Sequence, residues 1–561
     1  VKIFLAQQNY HIGNFKENTN KIIDAIRQAQ KAGGDLIVFS ELAVCGYPPR
    51  DFLEFTDFIN ECKQAIEIIK QETEHIGVLV GAPSQNNNHV GKPLFNSAYL
   101  LYQKEIKGIA HKSLLPNYDI FDEYRYFEPA FKWNVLHFKG KKLAVTICED
   151  IWNLGDNPQY RYCPMDKLME MAPDIMINLS ASPFDYIHAE DRKQIVSKNV
   201  MKYGLPMIYC NAVGSQTEIV FDGGSMAVNA LGKLCLEMAY FKEDLSSVIW
   251  AEDGTLSIEN EATTPIASNT PPSIAHELQA DFAIEKIHHA LLMGIKDYFG
   301  KMGFSKAIVA SSGGIDSAVV LALACEALGP SNVLAVLMPS QFSTNHSVSD
   351  ARQLSLHLQN PYHILPIEDI FKQYETNLQP LFQGLPFNVA EENLQSRIRG
   401  SLVMALSNKF GSILLNTSNK SELATGYGTL YGDMAGGLGV LGDLYKIQVY
   451  ALARFINRNE TIIPQNILDK APSAELRPGQ KDADSLPNYE LLDPILYKYI
   501  ELRMGPKEII AAHNDAALVH RILKMVNNNE YKRNQFCPII RISPKAFGIG
   551  RRVPIVGKYL S

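Results

Sequence analysis

The chain has 561 residues, 46% of them apolar and 20% charged, with a formal net charge of −7 from 53 Lys and Arg against 60 Asp and Glu. At roughly 100–200 residues per domain, that length gives two large domains or about three and excludes a single small module. The apolar fraction excludes disorder over most of the chain, and the acidic balance lacks the basic excess of a duplex-binding protein, so no nucleic-acid partner is expected.

In chain order, the amino-terminal half repeats short apolar runs with polar ends: IFLAQ, DLIVFSE, GVLVGAP, LAVTICED, IMINLSAS and LPMIYCNAVG. Runs of this length, rich in Val and Ile and bounded by turn formers, read as buried strands. Between the first two, 15–32 sets Ile22, Ile23, Ile26 and Ala29 at helical spacing, and Gly33-Gly34 supplies the stop. Residues 1–255 are expected to be a layered α/β domain. The stretch 254–280 is rich in Thr, Ser and Pro with little periodicity, and 256–280 is assigned as a linker. In 281–561 the pattern predicts a helix over 284–298, a strand over 307–310, a Gly-rich turn, a helix over 317–328 and a strand over 333–338. That is a βαβ unit of a doubly wound parallel sheet.

The eight cysteines are widely spaced with no C-x-x-C pair, which indicates neither a disulfide framework nor a zinc knuckle. The first residues, VKIFLAQQNYHIG, hold only a short apolar run, and no apolar stretch approaches the ~18 residues that span a bilayer. A cytoplasmic protein with no membrane partner is expected.

Three strings in the first half carry chemistry: Phe39-Ser40-Glu41-Leu42, His111-Lys112-Ser113 and Ile147-Cys148-Glu149-Asp150. Glu41 and Cys148 each end an apolar run, and strand ends in layered α/β folds converge on clefts. A thiolate is a strong nucleophile, a carboxylate can take its proton, and an ammonium can stabilise a tetrahedral oxyanion, so the trio suits amide hydrolysis through a thioester. Spacing alone does not choose Cys148 over Cys45 or Cys210. Residues adjacent on a strand face opposite ways, so Glu149 is expected to point away from the thiol unless the strand has ended there. Together the strings resemble the nitrilase (carbon-nitrogen hydrolase) superfamily, which implies an αββα sandwich. By that resemblance Glu41 is the general base, Lys112 the oxyanion stabiliser, Cys148 the nucleophile and Glu123 an auxiliary carboxylate. Tyr118 would line a glutamine pocket, Ser182 would hold the substrate's amino-acid head, and His188 stands where relatives often carry a basic residue.

In the second half, Ser311-Ser312-Gly313-Gly314-Ile315-Asp316-Ser317 lies between the predicted strand and helix. Its glycines let the backbone curve around an anion, its N–H groups and hydroxyls supply donors, and Asp316 suits a magnesium ion. Neither G-x-x-x-x-G-K-[ST] nor a G-x-G-x-x-G after a strand is present, which excludes the common nucleoside-triphosphate loop and the dinucleotide fingerprint. The cradle resembles the ATP-pyrophosphatase group, which cleaves ATP between the α- and β-phosphates. Asn416-Thr417-Ser418-Asn419-Lys420-Ser421-Glu422, the Gly-rich 425–433 and the N-x-x-x-R of Asn393 and Arg397 resemble NAD synthetases. That resemblance implies ATP contacts from Ser311 to Ser317 and from Thr417, Lys446 and Ser473, with Mg²⁺ shared by Asp316 and Glu422. Deamido-NAD would meet Asn393, Arg397, Glu422 and Lys532, the last in Tyr531-Lys532-Arg533, where Tyr replaces the family's His. Leu430 and Gly437 depart from a Lys and an Asp found in ammonia-dependent relatives, and those two contacts are not carried over.

The order of the halves resembles glutamine-dependent NAD synthetases. It implies hydrolysis of glutamine at Cys148, passage of ammonia through the protein, adenylation of deamido-NAD by ATP, and amidation to NAD with release of AMP and diphosphate. Ammonia in water near neutral pH is mostly protonated and not a nucleophile, so a water-poor conduit keeps it reactive. A homo-oligomer joined through the synthetase half is expected. Other glutamine-fed adenylating ligases fit less well: GMP synthetase uses a G-x-C-x-G elbow not found here, and asparagine synthetase an amino-terminal Cys where this sequence has Val1. A non-catalytic nucleotide-sensing scaffold is disfavoured by the intact Glu41, Lys112, Cys148 set and the intact cradle.

Overall fold

A computed structural model describes residues 1–88, 90–155, 158–258, 277–473, 475–480, 482 and 486–559. Most of the linker assigned to 256–280 lies outside the described residues. The chain divides into two compact units, one of Val1–Phe184 with His188–Pro271, the other of Asp185–Ile187 with Pro272–Ser561.

The strands of the first unit are β1 (Lys2–Gln7), β2 (Leu36–Val38), β3 (Gly77–Gln85), β4 (Leu94–Tyr102), β5 (Glu105–His111), β6 (Leu136–Phe138), β7 (Lys141–Ile147), β8 (Ile175–Ser180), β9 (Met207–Asn211), β10 (Val213–Gln216), β11 (Ile219–Asp222), β12 (Met226–Val228), β13 (Leu234–Glu237), β14 (Asp244–Trp250) and β15 (Leu256–Ser257). They form two mixed sheets, ordered β15-β14-β1-β2-β3-β4-β5 and β13-β12-β9-β8-β7-β6, and a β10-β11 ribbon.

Both faces of each sheet are apolar because successive side chains alternate sides. Ile3 and Leu5 of β1 join Val145 and Ile147 of β7 and Ile177 and Leu179 of β8 in a core shared by the two sheets. Their neighbours Phe4 and Ala6 pack with Ile22, Ile26, Ile66 and Ile69 of the helices Phe15–Lys31 and Thr56–Gln71. On the outer face of the second sheet, Ala144 and Met176 meet Met165 and Val196 of the helices Pro164–Met169 and His188–Tyr203. The layers are therefore α, β, β, α, as the resemblance implied.

The second unit has one parallel sheet of β16 (Ala307–Ala310), β17 (Val333–Leu337), β18 (Tyr362–Ile364), β19 (Ile413–Asn416) and β20 (Leu438–Gly439), ordered β18-β17-β16-β19-β20. The winding direction reverses between β16 and β19, and the crevice at such a reversal is where open α/β sheets bind ligands. The helix after β16 starts at Ile315, two residues earlier than its apolar pattern predicts, because Gly314 in extended conformation serves as its cap. The helix predicted over 284–298 runs on to Met302 and stops at Gly303, a residue in the left-handed region. Among the described residues no helix is long and apolar enough to cross a membrane.

Candidate active sites

In the first unit, β7 ends at Ile147 and the chain turns sharply, with Cys148 at φ +43° opening a short 3-10 turn to Ile151. A residue with a Cβ is strained in that conformation. Asp150 secures the turn by accepting the Ile147 N–H (3.0 Å) on one oxygen and those of Ser113 (3.0 Å) and Leu114 (2.8 Å) on the other. One buried carboxylate thus ties the nucleophile's turn to the segment that follows Lys112. Burial pushes Asp150 up to about 6, with the three N–H groups opposing.

Lys112 follows β5 and is fully buried, its Nζ donating to Glu41 Oε1 (2.6 Å) and Glu123 Oε1 (2.8 Å). Asn96 Nδ2 donates to the same Glu41 oxygen (2.7 Å), the Ala181 N–H to the other (3.1 Å), and the Tyr47 hydroxyl to Glu123 (2.7 Å). Burial and then the Glu41 charge push the Cys148 thiol well up, with Lys112 opposing, so the resting sulfur carries its proton. Burial disfavours the charge on Lys112, but Glu123 and Glu41 outweigh it and hold the ammonium. The cluster can take a thiol proton at Glu41 and present a permanent cation to an oxyanion.

Glu149 does not turn away from this cleft. The alternation of a strand has ended by Cys148, and the buried Glu149 carboxylate receives the hydroxyls of Tyr118 (3.0 Å) and Tyr160 (3.1 Å) while acting electrostatically on the thiol. His188 stacks on Trp152 (centroids 4.9 Å apart), with its Nε2 3.1 Å from Ser182 Oγ. Sequence reasoning missed Tyr47, Asn96, Asp150, Trp152 and Tyr160. Only Asn96 carried a signal, as an amide inside the apolar run LFNSAYLLY.

In the second unit, the cradle follows β16. Gly313 has φ +77°, and a Cβ there would lie 2.3 Å from the Ser347 carbonyl oxygen, so only glycine fits the turn. Ser317 Oγ accepts the Ser312 N–H (3.2 Å) and donates to the Gly314 carbonyl (3.0 Å), which fixes the loop's curvature. Ser311, Ser312, Gly314, Ile315, Asp316 and Ser317 line one cavity with Thr417, Glu422, Lys446 and Ser473. The predicted ATP and metal residues therefore converge, with Gly313 behind them.

Asp316 accepts Lys446 Nζ at 2.5 Å and Asn419 Nδ2 at 2.8 Å, and Lys446 Nζ lies 3.7 Å from Glu422. Burial and then Asp316 push Glu422 well above the ordinary carboxylate range, with Lys446 opposing. Asp482 joins the wall, buried, and accepts the Tyr489 hydroxyl at 3.0 Å. Crowded carboxylates holding one lysine fit a hard cation that completes its shell with phosphate oxygens. Among the described residues no three such side chains converge tightly enough to hold a metal by themselves.

Asn393, Arg397 and Lys532 do not line that cavity; they hold the Gly-rich loop beside it. Thr429 Oγ1 donates to Asn393 Oδ1 (2.7 Å), Arg397 Nε to the Leu430 carbonyl (3.3 Å), and Lys532 Nζ to the carbonyls of Gly426 and Gly428 (2.8 Å each). Arg399, Lys470 and Asp482 line the cavity and were not singled out from sequence. Arg399 lies two residues past Arg397, and nothing in the sequence marked it as a cavity residue.

Residues 2–252 match the carbon-nitrogen hydrolase family model and residues 287–536 the NAD synthase model. The chain is 44% identical to the glutamine-dependent NAD(+) synthetase of Synechocystis sp. over 99% of this chain and 98% of that protein. It is 40% identical to that of Thermotoga maritima, covering 100% and 99%. Among solved structures, the glutamine-dependent NAD+ synthetase of Acinetobacter baumannii in complex with adenosine diphosphate is 36% identical with a TM-score of 0.76, covering 99% of this chain and 98% of that one.

Proposed function

The chain belongs to the glutamine-dependent NAD(+) synthetases, and from that premise we propose that it frees ammonia from glutamine at Cys148 and uses ATP to install it on deamido-NAD. It is an ATP-dependent carbon-nitrogen ligase with glutamine as amide donor. The observation that carries the reading is that one chain holds both a buried Glu41–Lys112–Cys148 cluster and a strand-end cradle facing a carboxylate pair.

In the glutaminase unit, Glu41 takes the thiol proton as sulfur attacks the amide carbon, Lys112 steadies the oxyanion, and the proton returns from Glu41 to the departing ammonia. Water then hydrolyses the thioester. Glu149, fenced by two tyrosine hydroxyls, is the anionic seat for the substrate's α-ammonium, and Ser182 with His188 receives its carboxylate. In the synthetase unit the cradle N–H groups and hydroxyls hold phosphate oxygens, and Asp316 and Glu422 would hold Mg²⁺. Bound there, the ion neutralises triphosphate charge and orients it for attack. The deamido-NAD carboxylate attacks the α-phosphorus, diphosphate leaves, and ammonia displaces AMP from the mixed anhydride.

Exposed apolar side chains from the end of the helix Glu368–Phe382 to the start of the helix Val389–Phe410, among them Leu381, Leu385, Phe387 and Val389, support self-association through the synthetase unit. All eight cysteines are free, which supports a reducing, cytoplasmic setting.

The test is NAD formation from ATP and deamido-NAD, fed with glutamine or ammonium, by the parent and Cys148→Ala. The variant is expected to lose glutamine-dependent synthesis by ~10³-fold or more and to keep ammonium-dependent synthesis within about twofold. Loss of both, or amidation of xanthosine monophosphate or aspartate in place of deamido-NAD, would overturn the reading.

A further inference from the structure

The long helix Val389–Phe410 turns Ser396, Arg399, Gly400 and Val403 toward the synthetase cavity, the spacing of one helical face. Arg399 is half-buried, and its Nε donates to the Met338 carbonyl at 3.0 Å. That is its one hydrogen bond among the described residues. The carboxylates whose fields reach it are engaged elsewhere. Asp433 Oδ1 takes Ser396 Oγ (2.9 Å) and the Thr429 N–H (2.6 Å), and Glu475 Oε1 takes Lys470 Nζ and Ser347 Oγ (2.7 Å each). Burial pulls the guanidinium down to about 10 against those two fields, which still leaves it charged at neutral pH.

The other cations of the wall are committed, Lys446 to Asp316 and Lys470 to Glu475. Arg399 is the wall cation that retains a planar fork of donors with no acceptor among the described residues. Its position says where the fork reaches. Met338 directly follows β17, and the Val336 carbonyl two residues earlier accepts the N–H of Ser311, the first residue of the cradle, at 2.9 Å. The cradle thus follows β16, while the arginine reaches from its helix to the end of the neighbouring strand β17, and both line one cavity. Arg397, two residues earlier, is exposed and spends its Nε on the Leu430 carbonyl.

We infer that Arg399 grips the α-phosphate of ATP and stabilises the charge that builds on its oxygens during adenylyl transfer. The inference rests on the reading of the cavity as the adenylation site. In that step a bond forms between the acceptor carboxylate oxygen and the α-phosphorus, the bond to the diphosphate oxygen breaks, and its electron pair leaves with diphosphate. No proton moves. The two non-bridging oxygens match the bidentate fork of a guanidinium, which a lysine ammonium reproduces only as a point charge. In the nucleotide-free protein the same fork is a poorly solvated charge without an anion, an arrangement that favours function over stability.

The experiment uses full-length Arg399→Met and Arg399→Lys beside the parent. It measures deamido-NAD-dependent exchange of labelled diphosphate into ATP, calorimetric binding of AMP and of adenosine, glutamine hydrolysis, and the melting temperature without nucleotide. Arg399→Met is expected to lose exchange by about a hundredfold or more and AMP affinity by about tenfold or more, with adenosine binding and glutamine hydrolysis unchanged. Its melting temperature should equal or exceed the parent's, and Arg399→Lys should recover part of the exchange. Exchange within about threefold of the parent, equal loss of AMP and adenosine affinity, or a lower melting temperature in both variants would overturn the assignment. A parent that exchanges no diphosphate would overturn the adenylation site itself, and the assignment with it.

Discussion

Glu149 is one peptide bond from the nucleophile, yet alternation along a strand placed it on the wrong side. The rule is sound for β7 and fails at its last residue, because Cys148 enters the left-handed region and swings the next side chain back toward the cleft. Nothing in a sequence announces a strained cysteine. Glu41, Lys112 and Cys148 were legible as a resemblance, whereas Asp150 and Tyr160 matter through contacts that only the folded chain makes. Glu149→Gln keeps the shape and the tyrosine partners but removes the charge that a substrate ammonium would meet. It should raise the KM for glutamine by about 10- to 100-fold, the loss of about 1.5–3 kcal/mol of charged hydrogen bonding, and leave ammonium-dependent synthesis intact. Steady-state kinetics with each nitrogen donor checks this.

Glu123 makes a pH prediction at the same scale. Burial pushes it up to about 7 against the pull of Lys112, while its ordinary value is 4.5. Between those values the folded chain keeps a proton that the unfolded chain has shed. Stability is therefore full below about pH 4.5 and declines as pH rises toward about 7, by at most about 3 kcal/mol. Asp150, pushed up to about 6, adds the same sign. Glu123→Gln has no such proton to lose, so its melting temperature should fall less steeply than the parent's between pH 5 and pH 7.5. Parallel slopes would remove Glu123 from the cause.

At the scale of elements, the second unit was the more legible. The strand over 307–310 and the helix that follows it emerged from a Gly-rich turn between two apolar runs, and the structure adds only the two residues by which Gly314 lets the helix start early. β2 was harder to delimit: seven apolar and turn-forming residues predict a strand, but only Leu36–Val38 pair, because the chain must leave the sheet to deliver Glu41. Its turn is pressed against β3, where a Cβ on Gly81 would sit 2.4 Å from the Leu42 nitrogen. The corresponding close approach in the synthetase unit is testable. Gly313→Ala combines a positive φ with a Cβ 2.3 Å from the Ser347 carbonyl oxygen, so the cradle must open. The expected result is loss of ATP-dependent synthesis from either nitrogen donor by about a hundredfold or more, with glutamine hydrolysis retained. Unchanged ATP kinetics would mean that the cradle tolerates a different curvature.

At the scale of the whole molecule, two chemistries occupy successive parts of one chain, and their order was readable because each leaves a compact motif. One detail of the division was not readable: three residues, Asp185–Ile187, are assigned to the second unit although the chain on both sides belongs to the first, and no periodicity marks that. The physical reason for fusion is the fate of ammonia, which water protonates into an ion that cannot attack an adenylate. If the nitrogen stays within the protein, NAD made from unlabelled glutamine in the presence of excess [15N]ammonium should carry almost entirely unlabelled nitrogen, while Cys148→Ala under the same conditions should give labelled NAD. Mass spectrometry of the product amide reads both. Label entering the parent's NAD in proportion to dissolved ammonium would mean that each ammonia molecule equilibrates with solvent before it reacts, and the two units would then be enzymes that share a chain without sharing an intermediate.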